Sequence, residues 1–208
     1  MASESGGHGQ RLEELWAGDF GNAYVDRNSD AARGRRDFWE RIVGDLGATS
    51  ALEVGCNVGA NLQWLAELLG PERCAGVDVN DKALRRLRER VPGVDARLAS
   101  ARELPFADGS FDLVFTTGVL IHVPAADLDG VMREIVRCSG RHVLCGEYFA
   151  EQETEVFYRG QEGALFKRPY GAGYERVHPQ LELVDEGFLP RGEGSWDDIT
   201  YWVFRKGP

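Results

Sequence analysis

The sequence lacks long hydrophobic runs, clustered cysteines and an excess of positive charge, and each absence excludes a class of function. Its apolar stretches are short and broken by charge, well below the ~20 residues that a membrane-spanning helix needs. Residues Met1 to Gln10 are small and polar, without the basic start and apolar centre of a signal peptide. They read as a mobile tail, and the expected location is the cytoplasm. The four cysteines, Cys56, Cys74, Cys138 and Cys145, form no CxxC pair, which argues against a structural zinc site or a disulfide framework. No other metal site is evident. Lys and Arg number 24 against 34 Asp and Glu, a formal net charge of −10. Bulk attraction to nucleic acid requires the opposite balance, although one local basic pocket is compatible with an acidic chain. There is no internal repeat.

What remains is an ordinary globular composition, 43% apolar over 208 residues, enough for one domain with a sizeable core. Residues 11–47 read as an N-terminal helical arm that can act as a lid. Leu12, Leu15 and Trp16 share one helix face. Phe38, Ile42, Val43 and Leu46 line a second helix, which Gly47 can end. Gly21 to Asp30 between them reads as a loop. From residue 48 onward, apolar runs at 50–54, 74–79, 94–98, 111–116 and 142–149 alternate with helical spacings such as Leu62-Leu65-Ala66-Leu69 and Leu128-Val131-Met132-Ile135. That alternation predicts right-handed crossovers and a parallel sheet. Leu181 to Val184 and Ile199 to Phe204 look like a hairpin added at the sheet edge. The expected fold is α/β: a doubly wound, mostly parallel seven-stranded sheet preceded by N-terminal helices. Glu151 to His178 has no clear periodicity and suits a loop over a site.

Ligands of open α/β sheets bind at the carboxyl ends of the strands, near the topological switch point. The first strand runs into Glu53-Val-Gly55-Cys56-Asn57-Val-Gly59-Ala60-Asn61, and a helix follows. Gly55 and Gly59 let the backbone turn sharply and approach a ligand, while the helix N-terminus favours an anionic group. Glu53 can orient a cationic one. The GxGxxG fingerprint of nicotinamide binders fails twice here, at Asn57 and Ala60. The second strand ends in Asp78-Val79-Asn80. A carboxylate there can accept from both hydroxyls of a ribose, or simply cap the next helix.

Two later segments extend the pattern: Leu98-Ala-Ser100-Ala101-Arg102-Glu103-Leu104-Pro105-Phe106, and Thr117-Gly118-Val119-Leu120-Ile121-His122. The series over roughly residues 50–148 resembles the class I, Rossmann-like S-adenosylmethionine-dependent methyltransferases. That resemblance implies S-adenosylmethionine as cofactor. It implies contacts from Glu53, Gly55, Cys56, Asn57, Gly59, Asn61, Asp78, Val79 and Asn80. It also implies that Ser100, Ala101 and Arg102 meet the adenine side and that Thr117 and Gly118 line the methionine end. Many members carry Asp where this chain has Ser100, and Gly where it has Asn57.

The flanks are similar to the pseudaminic-acid-biosynthesis-associated methylases, a wider group that includes the phosphonate O-methyltransferase of dehydrophos biosynthesis. Trp16-Ala-Gly18-Asp19-Phe20-Gly21, Glu147-Tyr148-Phe149, Val156-Phe157-Tyr158-Arg159-Gly160 and Leu165-Phe166-Lys167-Arg168 carry the likeness. It implies an O-methyltransferase acting on a small anionic acceptor, a phosphonate or phosphonopeptide first. Arg159, Lys167 and Arg168 are the candidate anion clamp, against simple ion pairing with Glu151, Glu153, Glu155 or Glu162. Tyr24, Arg27, Asn28 and Tyr158 are candidates to complete that pocket. A hydroxyl or amine acceptor, as on an acidic sugar, would call for a base. His122 is the candidate, against a packed residue at a helix start. Arg85, Arg86, Arg88 and Arg90 read as a solvated helix face. A nicotinamide-dependent oxidoreductase and a non-catalytic cofactor binder are the readings from other classes. A homodimer through the N-terminal arm is a further expectation.

Overall fold

Ala51–Val54 (β1) is buried at every position, as a central parallel strand covered on both faces must be. The computed structural model describes residues 3–27, 34–192 and 196–207. Around β1, Cys74–Asp78 (β2), Asp95–Leu98 (β3), Phe111–Thr117 (β4) and Ser139–Glu147 (β5) complete a parallel array. The hairpin of Leu181–Leu189 (β8) and Ile199–Lys206 (β9) joins the edge, with β9 antiparallel to both β5 and β8. The sheet has seven strands in the order β3-β2-β1-β4-β5-β9-β8. The expected α/β sandwich, mostly parallel and seven-stranded, is the fold observed. Strand order reverses between β1 and β4, so the switch point lies above the carboxyl ends of β1, β2 and β4.

Helices cover both faces. Arg36–Leu46 (α3), Leu62–Leu69 (α4) and Asp81–Arg90 (α5) bury Trp39, Ile42, Leu62, Leu65, Leu84 and Leu87 against one face. Ala125–Cys138 (α6) and Tyr170–Val177 (α7) bury Val131, Met132, Ile135, Tyr170 and Tyr174 against the other. Three of the four α5 arginines, Arg85, Arg86 and Arg88, stand exposed as expected, with Arg85 paired to Asp81 and Arg86 to Glu89 at 3.2 Å, whereas Arg90 is half-buried. Among the described residues no helix is long and apolar enough to cross a membrane.

The structure departs from the sequence expectation at three places. Ser3–Ala17 (α1) is helical through most of the predicted tail. Its docking explains this: His8 Nε2 donates to Gly163 O at 3.0 Å, and Gly9 sits where any Cβ would collide with Arg102 and Asp127. Asp19–Arg27 (α2) replaces most of the predicted loop, burying Gly21 and Val25. The segment 151–178 holds a small hairpin, Thr154–Glu155 (β6) with Phe166–Lys167 (β7), and then α7. With only Tyr170 and Tyr174 one turn apart as large buried residues, α7 offers too short a pattern for periodicity to reveal.

Glycines 47 and 59 separate backbone strain from crowding. Gly47 ends α3 at φ +56 with open space where a Cβ would stand, whereas at Gly59, φ +77, a Cβ would lie 2.4 Å from Leu87 Cδ1 in the core. Gly47→Ala should cost about 1 kcal/mol of unfolding free energy from backbone strain alone. Gly59→Ala should cost roughly 2 kcal/mol or more, since overpacking adds to strain. Urea unfolding of both variants checks this, and equal costs would contradict the packing at Gly59.

Candidate active site

A cavity of about 440 Å³ opens at the switch point, between the strand ends and the two N-terminal helices. Its floor is the turn after β1. Gly55 stands at φ +73, where a Cβ would come 2.4 Å from Val119 Cγ2. Gly118, at φ +67, faces open space. Asp78 at the end of β2 accepts from the backbone N–H groups of Asn57 at 2.8 Å and Asn80 at 2.9 Å. These bonds tie the first turn to the second and leave each carboxylate oxygen further lone pairs for a ligand hydroxyl. Asn80 also caps α5, accepting from Ala83 N at 2.9 Å.

Below the turn lies a buried polar network. Asn61 Nδ2 donates to Glu53 Oε1 at 2.6 Å and Thr117 Oγ1 at 2.9 Å, while Asn61 Oδ1 accepts from Arg35 Nη1 at 2.9 Å and Trp39 Nε1 at 3.2 Å. Glu53 is 2% exposed and its Oε2 is buried with no partner in the protein. Burial pushes its carboxyl up to about 8, against the opposing pull of Asn61 and Arg35. Arg35 lies 4.1 Å over the Trp196 ring and lines the cavity beside Glu53. An idle carboxyl oxygen next to a guanidinium can take a zwitterion, the carboxyl giving up its proton where an ammonium binds and the guanidinium meeting the carboxylate.

On the opposite side, the loop after β4 is held by Glu147. Its oxygens accept from Val119 N at 3.2 Å and Ile121 N at 3.3 Å. His122 follows. Its Nδ1 donates to Ala164 O at 2.6 Å, which leaves Nε2 as the acceptor. The ring is tilted against Trp16 at 4.4 Å and Tyr158 at 5.6 Å. Burial lowers its pKa to about 4, so it is neutral at physiological pH. Trp16 also meets Tyr24 edge-on at 5.2 Å, and burial raises the Tyr24 hydroxyl to about 12.

Most sequence-predicted residues converge. Glu53, Gly55, Cys56, Asn57, Asn61, Asp78, Val79, Asn80, Ala101, Arg102, Thr117 and Gly118 line the cavity, as do Tyr24, Arg27, His122, Tyr158 and Arg159. Gly59 packs under the turn, and Ser100 stands behind the wall. Asn28 lies outside the described residues. Of the three candidate clamp cations only Arg159 is in the lining. Arg168 is 4% exposed and is not among the lining residues. Its Nε binds Glu153 at 2.7 Å and its Nη1 donates to Val123 O at 2.9 Å. Lys167 sits on β7, 6.0 Å over the Tyr148 ring, outside the lining. Ion pairing within the segment, weighed above as the plainer use, engages Arg168 Nε, while its Nη2 is buried without a partner among the described residues. Sequence reasoning missed Arg35, Glu13 and Trp196 in the lining. Arg35 belongs to a short basic run before α3 that carries no motif, and only the fold brings it to Asn61.

Comparison with known proteins agrees with this geometry. Residues 52–142 match the family described as "Methyltransferase domain". Methyltransferase GfsG of Streptomyces halstedii is 42% identical over 91 residues, which are 41% of this chain and 32% of that protein. The chain spans about a third of the length of the curated relatives it matches. Among solved structures, Burkholderia thailandensis 1,6-didemethyltoxoflavin-N1-methyltransferase, with bound 1,6-didemethyltoxoflavin and S-adenosylhomocysteine, superposes with a TM-score of 0.73 at 18% identity, covering 96% of this chain and 91% of that one. The sugar N-methyltransferase KedS8 of Streptoalloteichus superposes with a TM-score of 0.66 at 16% identity, covering 92% and 94%. The fold is therefore the Rossmann-like class I methyltransferase fold.

The raised Glu53 carboxyl has a consequence for stability. The folded state holds that proton up to about pH 8, whereas the unfolded chain releases it near its ordinary value. The carboxyl therefore subtracts stability as pH rises between those limits. Glu53→Gln carries no such charge, so its melting temperature relative to the native protein should rise from pH 6 to pH 8. A difference that stays flat across that range would contradict the burial of an unpartnered oxygen.

Proposed function

We propose that this chain, with its class I methyltransferase fold and its methyltransferase-domain segment at residues 52–142, binds S-adenosylmethionine and transfers the methyl group to a small anionic acceptor. The observation that carries the reading is the switch-point crevice, where Asp78, the idle Glu53 oxygen and Arg35 stand along one cavity above Gly55. These residues fit the cofactor's parts in order. Asp78 can accept from ribose hydroxyls. Glu53 and Arg35 complement the charges of an amino-acid head. Gly55 and Gly118 leave backbone uncovered where the ligand must approach closely. When bound, S-adenosylmethionine supplies a methyl group already activated on a sulfonium. The chain's task is then to orient an acceptor and exclude water, and orientation alone can supply effective molarities on the order of 10⁵–10⁸ M.

For the acceptor, a phosphonate or phosphonopeptide is the first choice, methylated on oxygen. Arg27 and Arg159 support it. Both line the cavity, Arg27 5.9 Å over Tyr24 and Arg159 5.6 Å over Tyr158, and guanidinium is suited to a tetrahedral oxyanion. An acceptor that is already anionic needs no base. Arg168 serves this site only indirectly, by fixing the strand and loop that carry Tyr158. A second reading, a hydroxyl or amine of an acidic sugar, is favoured by one observation: His122 is neutral, with Nδ1–H engaged and Nε2 left as acceptor beside Tyr158.

A mass-spectrometric acceptor screen with isotopically labelled S-adenosylmethionine, phosphonates and acidic amino sugars included, tests the reading. With the acceptor found, Arg159→Ala should raise KM roughly tenfold or more, through loss of a charge-assisted contact. Cofactor affinity should be unchanged. On the phosphonate reading His122→Ala keeps turnover within a few fold of native, roughly the ~10² loss expected for a removed base being absent. A loss of that size with Arg159→Ala silent would select the sugar reading instead.

A further inference from the structure

Glu13 of α1 is a carboxylate in the cavity lining that no part of the proposed chemistry has used. It is held from the strand side by two residues after β3. The Ser100 hydroxyl accepts from Arg102 N at 3.1 Å, so its proton is directed at Glu13 Oε1, with which it makes a short hydrogen bond. Arg102 Nε lies 3.5 Å from the same oxygen, but the guanidinium is shared with Asp127, 3.1 Å from its Nη2. Glu13 Oε2 accepts from no other described residue, and the side chain is about a third exposed. This oxygen is a fixed acceptor at the rim of the cavity.

Its position follows from the strand order. The zwitterion receptor of Glu53 and Arg35 stands at β1, and Asp78 stands at β2. A nucleoside whose ribose meets Asp78 must place its base on the far side, toward β3, about one strand spacing of ~4.8 Å away. That side is lined by Leu12, Val79, Ala99 and Ala101, which suit the flat faces of a purine. Among the described lining residues Glu13 is the carboxylate on that side, the others being Glu53, Asp78 and, just before β9, Asp197. A carboxylate accepts only. It rewards a base edge that donates and rejects one that presents an oxygen.

We infer that Glu13 accepts from the exocyclic amino group of the cofactor's adenine, with Ser100 as the residue that positions it, so that base recognition is completed by the N-terminal helix rather than by the sheet. The inference rests on the proposed use of S-adenosylmethionine. It gives α1 a role beyond covering the cavity: the helix must be docked, through His8 on Gly163 and Trp16 O accepting from Asn80 Nδ2 at 2.9 Å, for the base to be read. Cofactor binding and lid closure then stabilise each other.

The test is calorimetric titration of the full chain with S-adenosylhomocysteine and with S-inosylhomocysteine, in which an oxo group replaces the amino group. The native protein should bind the adenosyl form roughly tenfold tighter or more, the scale of one hydrogen bond to a charged partner. In Glu13→Gln, whose amide can donate as well as accept, the ratio should fall to near unity. In Glu13→Asp, which keeps a carboxylate on the same face of α1, a part of the preference should remain, which a mere loosening of α1 would not produce. Equal binding of both nucleosides by the native protein, an unchanged ratio in Glu13→Gln, or a ratio that Glu13→Asp loses as fully as Glu13→Gln would each overturn the assignment while leaving the cofactor reading in place. Failure of the native protein to bind either nucleoside would remove both.

Discussion

The site depends on one asparagine. Asn61 uses all four of its hydrogen-bonding positions, two donated to Glu53 and Thr117 and two accepted from Arg35 and Trp39. Glu53 belongs to β1, Thr117 to β4, and Arg35 and Trp39 to the start of α3. One amide therefore ties the two strands on either side of the switch point to the helix that precedes the sheet. Buried polar networks are worth keeping only when they are satisfied, and this one is complete except at Glu53 Oε2. Glu53 lines the cavity, and in the free protein the proton it holds up to about pH 8 offsets the burial of that atom, a place that a positively charged ligand group can take instead.

A similar economy governs the opposite wall. Glu147 at the end of β5 is fully buried, and burial raises its carboxyl to about 7. It accepts the backbone N–H groups of Val119 and Ile121, which fixes the loop that carries Gly118 and His122. The two N-terminal helices then close the top. Trp16, Phe20 and Tyr24 form an aromatic layer over His122 and Tyr158. Arg27 and Arg159 line the same cavity, each with its guanidinium over one of these tyrosine rings.

The α/β alternation was legible because each strand and helix carries its own period, and buried parallel strands such as β1 and β2 read as continuous apolar runs. The places of Gly55 and Asp78 were legible because a sharp turn after β1 demands a glycine and because the strand pattern fixes where β2 ends. The lid was not. In the first half of α1 the glycines at 6, 7 and 9 hide the helix, and it is held by distant contacts, such as those of His8 with Gly163 and of Gly9 against Arg102, that no local pattern shows. Arg35 and Glu13 act through tertiary placement and belong to no local pattern. Arg168 illustrates the converse. Its chemistry suits an anion, but in the fold its Nε binds Glu153 at 2.7 Å, and a charge in sequence carries no direction.

The central claim is that the crevice over Gly55 receives an adenosyl sulfonium with an amino-acid head, and the most direct measurement is equilibrium binding of S-adenosylmethionine and of oxidised nicotinamide adenine dinucleotide to the purified chain, alongside Asp78→Ala. The account expects saturable binding of S-adenosylmethionine alone, weakened at least roughly tenfold in Asp78→Ala through loss of the charge-assisted ribose contacts. Saturable binding of the dinucleotide in place of S-adenosylmethionine, or binding of S-adenosylmethionine that Asp78→Ala leaves unchanged, would contradict it.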